Sequence, residues 1–401
     1  IYSLKYFGTN LRPYWNRKND QTIFTQLEKA TQEYSTLMKR CTEFDAKLIG
    51  EAEQAGGRKY AELCALAYRQ VMAAHKLVES PDGELLFMSK ENFSNGCINT
   101  VDLTYPSSPL FLVYNPNLLK GMMNGIFQYS ESGKWPKPFA AHDLGTYPLA
   151  NGQVYGGDMP IEETGNMMIL SAAIAVIEGN PDYAAKHWDV LTTWANYLAE
   201  NGLDPENQLC TDDFAGHFAH NTNLSIKAIM GVASYAYLAD KQGMKDISNK
   251  YMEKAKEMAG EWLKMADDGD HYRLTFDKPG TWSLKYNLVW DELLGFNLFP
   301  REVVEKELAY YQTKENKYGV PLDNRETYTK NDWIMWTATM AQDRATFEKF
   351  IAPIYTFMNE TVDRVPMTDW NWTLEPNQRG FQARSVIGGY WMKVLKDKLG
   401  K

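Results

Sequence analysis

Several things this sequence lacks narrow what it can be. No stretch reaches the run of about 18 uninterrupted apolar residues that a membrane-spanning helix needs, so no transmembrane segment is expected. Cysteine is scarce. The four present, Cys41, Cys64, Cys97 and Cys210, stand far apart, and no pair has zinc-finger or thioredoxin spacing. Positive charge is in deficit, with 42 Lys and Arg against 51 Asp and Glu and a net charge of -9. No basic cluster interleaves with aromatics, which argues against a nucleic-acid partner. There is no G-x-S-x-G elbow, no Ser-x-x-Lys, no P-loop, no G-x-G-x-x-G and no H-E-x-x-H. The common serine, nucleotide and zinc-protease routes therefore have no motif here. A starting Met is also missing, so a processed product or a fragment is expected.

Aromatics and long polar loops are abundant. The 24 Tyr, 17 Phe and 12 Trp often fall in polar loops rather than in apolar runs. Apolar residues at helical spacing mark about twelve helices. Residues 1–20 read as a lead-in, followed by helices over about 22–55 and 58–78. A small β excursion is expected near 84–103, with Asp82 and Gly83 at a turn. Short helical pieces are expected at 109–114 and 117–129, divided by Pro116.

Loop length alternates along the chain. The loops 139–160, 201–220, 267–283, 315–330 and 361–378 are long, and each precedes an apolar, small-residue helix. The links near 179–182, 241–243, 297–300 and 342–344 are short, and each precedes a more charged helix. Buried inner helices and amphipathic outer ones, closed into a ring, make an all-α (α/α)6 toroid of six hairpins in one domain. The first pair fits this scheme less well than the rest. An α-solenoid competes, but it would show a residue period and more uniform loops. In the toroid all long loops gather at one end, which is where a site would lie.

The stretch 139–170 carries the densest chemistry. His142 and Asp143 sit in its loop. Glu162, Glu163 and Asn166 open its helix behind Pro160, where acidic side chains suit the helix dipole. Paired carboxylates can serve as general acid and base. Glu162 or Glu163 is expected as the acid and Asp213 or Asp332 as the opposing base. Asp143 would orient substrate or His142, and Asn166 and Arg379 would bind polar substrate groups. Tyr147, Trp290, Trp333 and Trp370 would form the wall. Asp212, Asp291 and Asp369 are further candidates. His217 and His220 with Asp212 and Asp213 could ligate a metal, but capping is the plainer reading. Asp267, Asp268 and Asp270 fit no complete calcium loop and read as a solvated turn. No metal or cofactor is expected.

Seven segments carry a family resemblance. They are AHDLGTYP (141–148), MPIEETGNMM (159–168), CTDDFAGHFAHNTNLSIKAI (210–229), WSLKYNLVWDELLG (282–295), YGVPLDNRETYTKNDWIMW (318–336), VPMTDW (365–370) and GFQARSVIGGYW (380–391). Together they resemble the six-helical-hairpin domain of the glutaminase A family. The resemblance implies an (α/α)6 toroid and hydrolysis of the glutamine side-chain amide to glutamate and ammonia. It also implies an extracellular or periplasmic parent, in which N-terminal β-rich domains precede this catalytic part. The toroid is also similar to those of glycoside hydrolases, and a non-catalytic carbohydrate-binding toroid is a third reading. The charge of the pocket separates the first two. Free glutamine needs a basic donor, such as Arg379, Arg325 or Lys330, near an acidic acceptor. A neutral sugar suits an acidic, tryptophan-walled cleft. Residue chemistry alone leads to the expectation of an open, acidic, aromatic-lined pocket with at most one arginine.

Overall fold

The computed structural model describes residues 2–208, 210 and 216–401. A short antiparallel hairpin, β1 (Leu4–Tyr6) and β2 (Thr9–Leu11), opens the chain. Helix α1 (Ile23–Gln32) starts at Thr22, which forms a reciprocal capping box with Thr25. Helices α2 (Tyr34–Gly56) and α3 (Arg58–Ala73) follow, then an antiparallel hairpin of β3 (His75–Glu79) and β4 (Leu85–Ser89). Next come α4 (Val101–Tyr114), α5 (Pro116–Glu131), and β5 (Leu149–Ala150), which lies parallel to β1. Helices α6 (Pro160–Glu178), α7 (Asp182–Ala185), α8 (Trp188–Asn201), α9 (Thr222–Lys241) and α10 (Lys245–Ala266) succeed one another. A 3-10 turn at Tyr286–Leu288 runs into α11 (Val289–Leu293), and α12 (Arg301–Gln312) follows. The chain ends with β6 (Tyr328–Lys330), α13 (Asn331–Thr339), α14 (Arg344–Glu360), β7 (Thr368–Trp372), β8 (Gln378–Gln382), a 3-10 segment Ser385–Trp391 and α15 (Met392–Lys398).

Six inner segments form a closed ring. In order they are α4, α6, α9, residues 286–293, α13 and residues 385–391, and the last packs back against α4. Glycines permit that closure. A Cβ on Gly388 would stand 2.6 Å from the Ser107 carbonyl oxygen, and one on Gly389 would stand 2.8 Å from that of Pro106. Helix α6 shows how an inner stave is specified. Pro160 occupies its first turn, Ile161 to Ala175 are all buried, and Gly179 ends it at φ +73°. Tyr105, Tyr286, Trp290, Trp333 and Trp336, all buried, pack as one aromatic cluster among the staves. Tyr286 and Trp333 stack with their ring centres 4.0 Å apart.

The toroid expected from loop lengths is present, with four corrections. The helix at 58–73 is an outer helix, so the excursion at 74–100 is the long loop of α4. Every long connection therefore precedes an inner stave, which removes the misfit of the first pair. The α1–α2 pair lies outside the ring, and none of α1 is buried. The expected strand near Ile98 is an isolated bridge from Ile98 to Lys90; the hairpin pairs 75–79 with 85–89. Finally, α4 begins at Val101 and holds Pro106 and Pro109 within it. A proline removes one amide donor. Here the donor lost at Pro106 is the one that would reach the Asp102 carbonyl in the first turn.

Candidate active site

The long loops and inner-helix starts converge on a cavity of about 450 Å³. Its walls include Glu91, Asp102, His142, Tyr155, His217, Lys330, Asp332, Phe381 and Arg384. Asp102 comes from the first turn of α4 and Asp332 from that of α13. Lys330 ends β6, and Arg384 follows Ala383 just beyond the β7–β8 hairpin.

One wall is an oriented histidine. Both Asp143 oxygens are engaged: Oδ1 accepts from the Gly145 and Val154 amides, at 2.7 and 3.1 Å. Oδ2 accepts from the Tyr155 amide at 3.1 Å and meets His142 Nδ1 at 2.9 Å. This leaves His142 Nε2 to face Asp102 Oδ1 at 3.8 Å. The imidazole stacks on Tyr155 with centres 4.1 Å apart. Burial works against its charged form, but the Asp143 bond and the charges of Asp102, Asp143 and Glu91 outweigh it and raise its pKa.

The facing wall is a ladder of buried charges. Lys330 Nζ contacts Asp332 Oδ1 at 2.8 Å and Asp369 Oδ2 at 2.7 Å. Arg384 contacts Asp369 Oδ2 at 2.6 Å and Glu91 Oε2 at 3.5 Å. Burial raises the Asp369 pKa, yet the two cations prevail and pull it to about 2. In Asp332, burial and the Asp369 charge prevail over Lys330 and Arg384, so its pKa is raised. Asp332 Oδ2 is buried without a hydrogen-bond partner among the described residues.

Behind the cavity, Glu162 and Glu163 part company. Glu162 forms a buried ion pair with Lys227, whose ammonium lies 4.1 Å from the Tyr105 ring centre. Gly165 makes room for this lysine; a Cβ there would stand 2.5 Å from Lys227 Cγ. Glu163 instead meets the Asn166 amide at 3.0 Å. Burial above all, then the Asp102 and Glu162 charges, lifts its pKa well above the carboxylate range.

Among the described residues, two groups of side chains come close enough to hold a metal. Glu91, Asp102 and His142 form one; Cys97, His142 and Asp143 form the other. In the first, the Arg384 guanidinium already neighbours Glu91. In the second, Asp143 is saturated by four donors, and burial pushes the Cys97 thiol far up. Neither donor set suits a resident cation.

The glutaminase A six helical-hairpin domain model matches residues 57–394. This chain belongs to that family. Glutaminase A of Aspergillus oryzae is 37% identical over 404 residues, covering 98% of this chain and 58% of the relative. A probable glutaminase of Arthroderma benhamiae is 29% identical over 454 residues, covering 88% of this chain and 52% of the relative. The chain thus spans somewhat over half the length of these family members. Among solved structures, a metal-independent alpha mannosidase of Streptococcus pneumoniae superposes with a TM-score of 0.61 at 10% identity. That match covers 90% of this chain and 98% of the mannosidase. A bacterial glucoamylase in complex with acarbose gives a TM-score of 0.52 at 11% identity, covering 78% of this chain and 49% of that one. At such identities these likenesses describe the fold alone.

In this glutaminase A family member the residues expected from sequence separate into three groups. His142 and Asp332 line the cavity, and Asp143 stands directly behind His142. Glu162, Glu163 and Asn166 are buried next to it but do not line it. The others stand elsewhere. Trp290 and Trp333 are packed in the aromatic cluster, because the inner staves turn them inward. Trp370 lies under Arg379, whose guanidinium is 4.6 Å from its ring centre, so neither reaches the cavity. Tyr147 is 38% exposed on the outer surface of its loop. Asp291 accepts the Leu298 and Phe299 amides and shapes the short turn at the opposite end. Asp212 and Asp213 lie outside the described residues. His220 pairs with Asp204 rather than with His217. Asp267, Asp268 and Asp270 are taken up by Lys306, Arg273 and His271.

Sequence reasoning missed Asp102, Glu91, Arg384 and Lys227. Among the described residues the cavity has one arginine, within the expected limit of one, but its aromatic lining is Tyr155 and Phe381 rather than tryptophan. Two fixed cations also temper its acidity.

Proposed function

We propose that the chain is a hydrolase that cleaves the side-chain amide of glutamine in this cavity. One observation carries the reading: Lys330 and Arg384 share a small pocket with Glu91, Asp102 and Asp332. A zwitterion needs both signs of charge within reach, whereas a neutral sugar needs neither. Membership of the glutaminase A family supports the same choice. The α-carboxylate would lie toward Arg384 and the α-ammonium toward Glu91.

In the reaction, Asp102 accepts a proton from water as the water oxygen bonds the amide carbon. The His142 imidazolium donates Nε2–H to the developing oxyanion. Asp332, whose acid form burial and the Asp369 charge favour, gives its proton to the amide nitrogen. The C–N bond breaks, releasing ammonia and leaving the new carboxyl group. Proton exchange with solvent resets both aspartates.

A second reading, glycoside hydrolysis, is favoured by a different observation. Three carboxylates, Glu91, Asp102 and Asp332, line the cavity, while Cys97 is not exposed in it and Ser94 is bonded to Glu91. Water activated by one carboxylate and a leaving group protonated by another also describes an inverting glycosidase. Parallel assays decide. Ammonia release from glutamine and hydrolysis of a panel of aryl glycosides are measured for the parent, Asp102→Asn and Asp332→Asn. The amide reading requires ammonia release that both variants cripple. Turnover confined to a glycoside would replace it.

A further inference from the structure

Two wall segments of the catalytic cavity face two ways. In 91–95, Glu91, Ser94 and Asn95 line the cavity, while Asn92 and Phe93 turn outward. In 381–384, Phe381 and Arg384 face the cavity, while Gln382 and Ala383 turn outward. The outward side is a second, mainly apolar groove of about 650 Å³, completed by Leu66 and Ala73 of α3 and by Val365 and Met367. That volume lies in the range of small-ligand sites.

The partition between the two is strained and braced. Phe381 and Ala383 hold φ of +47° and +61°, and Asn92 holds +52°. Asparagine tolerates this region, but phenylalanine and alanine do not adopt it without cost. Asn92 Nδ2 donates to the Ala383 carbonyl at 2.5 Å. Gln70 donates to the Met367 and Arg384 carbonyls at 3.1 and 3.0 Å and accepts the Met367 amide at 2.8 Å. The floor of the groove is thus tied directly to the backbone of Arg384.

The groove is also charged in one sense. Arg69 is the one charged residue in its lining, and it has no ion pair among the described residues. Phe93 and Val365 are 57% and 75% exposed. Large apolar side chains left in solvent beside an unpaired cation suit an amphiphile with a negative head.

We propose that this groove binds an amphiphilic carboxylate, with its aliphatic or aromatic body on Leu66, Phe93, Val365 and Met367 and its head at Arg69. The occupant lies against the partition that carries Arg384. Binding here therefore bears on the catalytic cavity without entering it.

The test is fluorescence titration of the protein with 1-anilinonaphthalene-8-sulfonate and its displacement by dodecanoate. Arg69→Glu and Val365→Asp change exposed side chains, and melting temperatures verify that both variants are folded. One saturable site, competed by dodecanoate, is expected. Arg69→Glu should weaken dodecanoate by about tenfold or more and leave dodecan-1-ol unchanged. Probe binding that ignores both substitutions overturns the site. So does a dimer, seen by sedimentation, that Val365→Asp splits while dodecanoate fails to bind. These readouts need no turnover, so they stand apart from the amide reading. A second readout rests on that reading: dodecanoate should shift KM for ammonia release in the parent but not in Arg69→Glu. Binding with an unchanged KM would overturn the link to the cavity.

Discussion

His142 Nε2 lies 3.8 Å from Asp102 Oδ1, while the other ring nitrogen is held by Asp143 at 2.9 Å. One carboxylate fixes the imidazole and the other shares the cavity with it. Asp102→Asn should therefore lower kcat by about 10²–10⁴, the usual worth of a general base. Asp102 is not one of the residues that anchor the ring, so its melting temperature should barely move. Stopped-time ammonia assays and a thermal melt of the same preparation check both halves.

Glu162 and Glu163 should respond oppositely to the same substitution. Glu162→Gln strands the buried Lys227 ammonium and should cost about 3–5 kcal/mol. Glu163→Gln copies the protonated carboxyl that burial favours. A raised folded pKa means that stability is lost as pH rises through it. The glutamine variant should match the parent in acid and exceed it at higher pH. Urea denaturation across pH 5 to 9 reads both, and equal losses in the two variants would contradict the assignment.

Asp369 sets an acid limit to stability. Its folded pKa of about 2 lies below the ordinary aspartate value. Its contribution, about 2–3 kcal/mol by linkage, is complete above about pH 4 and is lost as pH falls toward 2. Asp369→Asn leaves Lys330 and Arg384 short of an anion and should be strongly destabilised at neutral pH. The gap between variant and parent should narrow in acid, as measured by melts from pH 7 down to pH 2.

Asp332 should set an alkaline limit to rate. Its pKa is raised, and the proposed proton donor is the protonated form. The logarithm of kcat should fall with unit slope as pH rises through that pKa. Asp332→Asn should abolish this limb while lowering kcat by about 10²-fold or more. A pH–rate profile of both proteins is the measurement.

Arg379 offers a contrast. Its guanidinium sits on Trp370 outside the cavity, so Arg379→Ala should cost about 1 kcal/mol or less and leave kcat/KM nearly unchanged.

The ring was legible because loop length records which end of a helix faces function. Long loops precede buried staves, and that asymmetry survives in sequence without any residue repeat. The convergence of His142, Asp143 and Asp332 was legible for the same reason. Asp102 was hidden because the helical piece was expected only from residue 109, whereas α4 begins at Val101 and tolerates Pro106 and Pro109 within it. An acid two residues after Thr100, ahead of the apolar run 110–113, was the available signal. Arg379 and Arg384 could not be ranked from sequence. The one that enters the cavity depends on where the β7–β8 hairpin ends, and strand register is a tertiary fact. The tryptophans misled because burial and ligand stacking select the same side chain.

Ring closure gives the chain an order in time. The stave at 385–391 fills the gap between α4 and α13, and α4 is drawn from the first third of the sequence. During synthesis the flank of α4 waits, uncovered, while more than half of the polypeptide is still being made. The aromatic cluster around Tyr105 and Trp336 cannot be sealed earlier either, since Gly389 packs directly against the Trp336 indole. Nascent chains released short of residue 385 are therefore open arcs with two sticky edges, a natural substrate for chaperones and for pairing with one another.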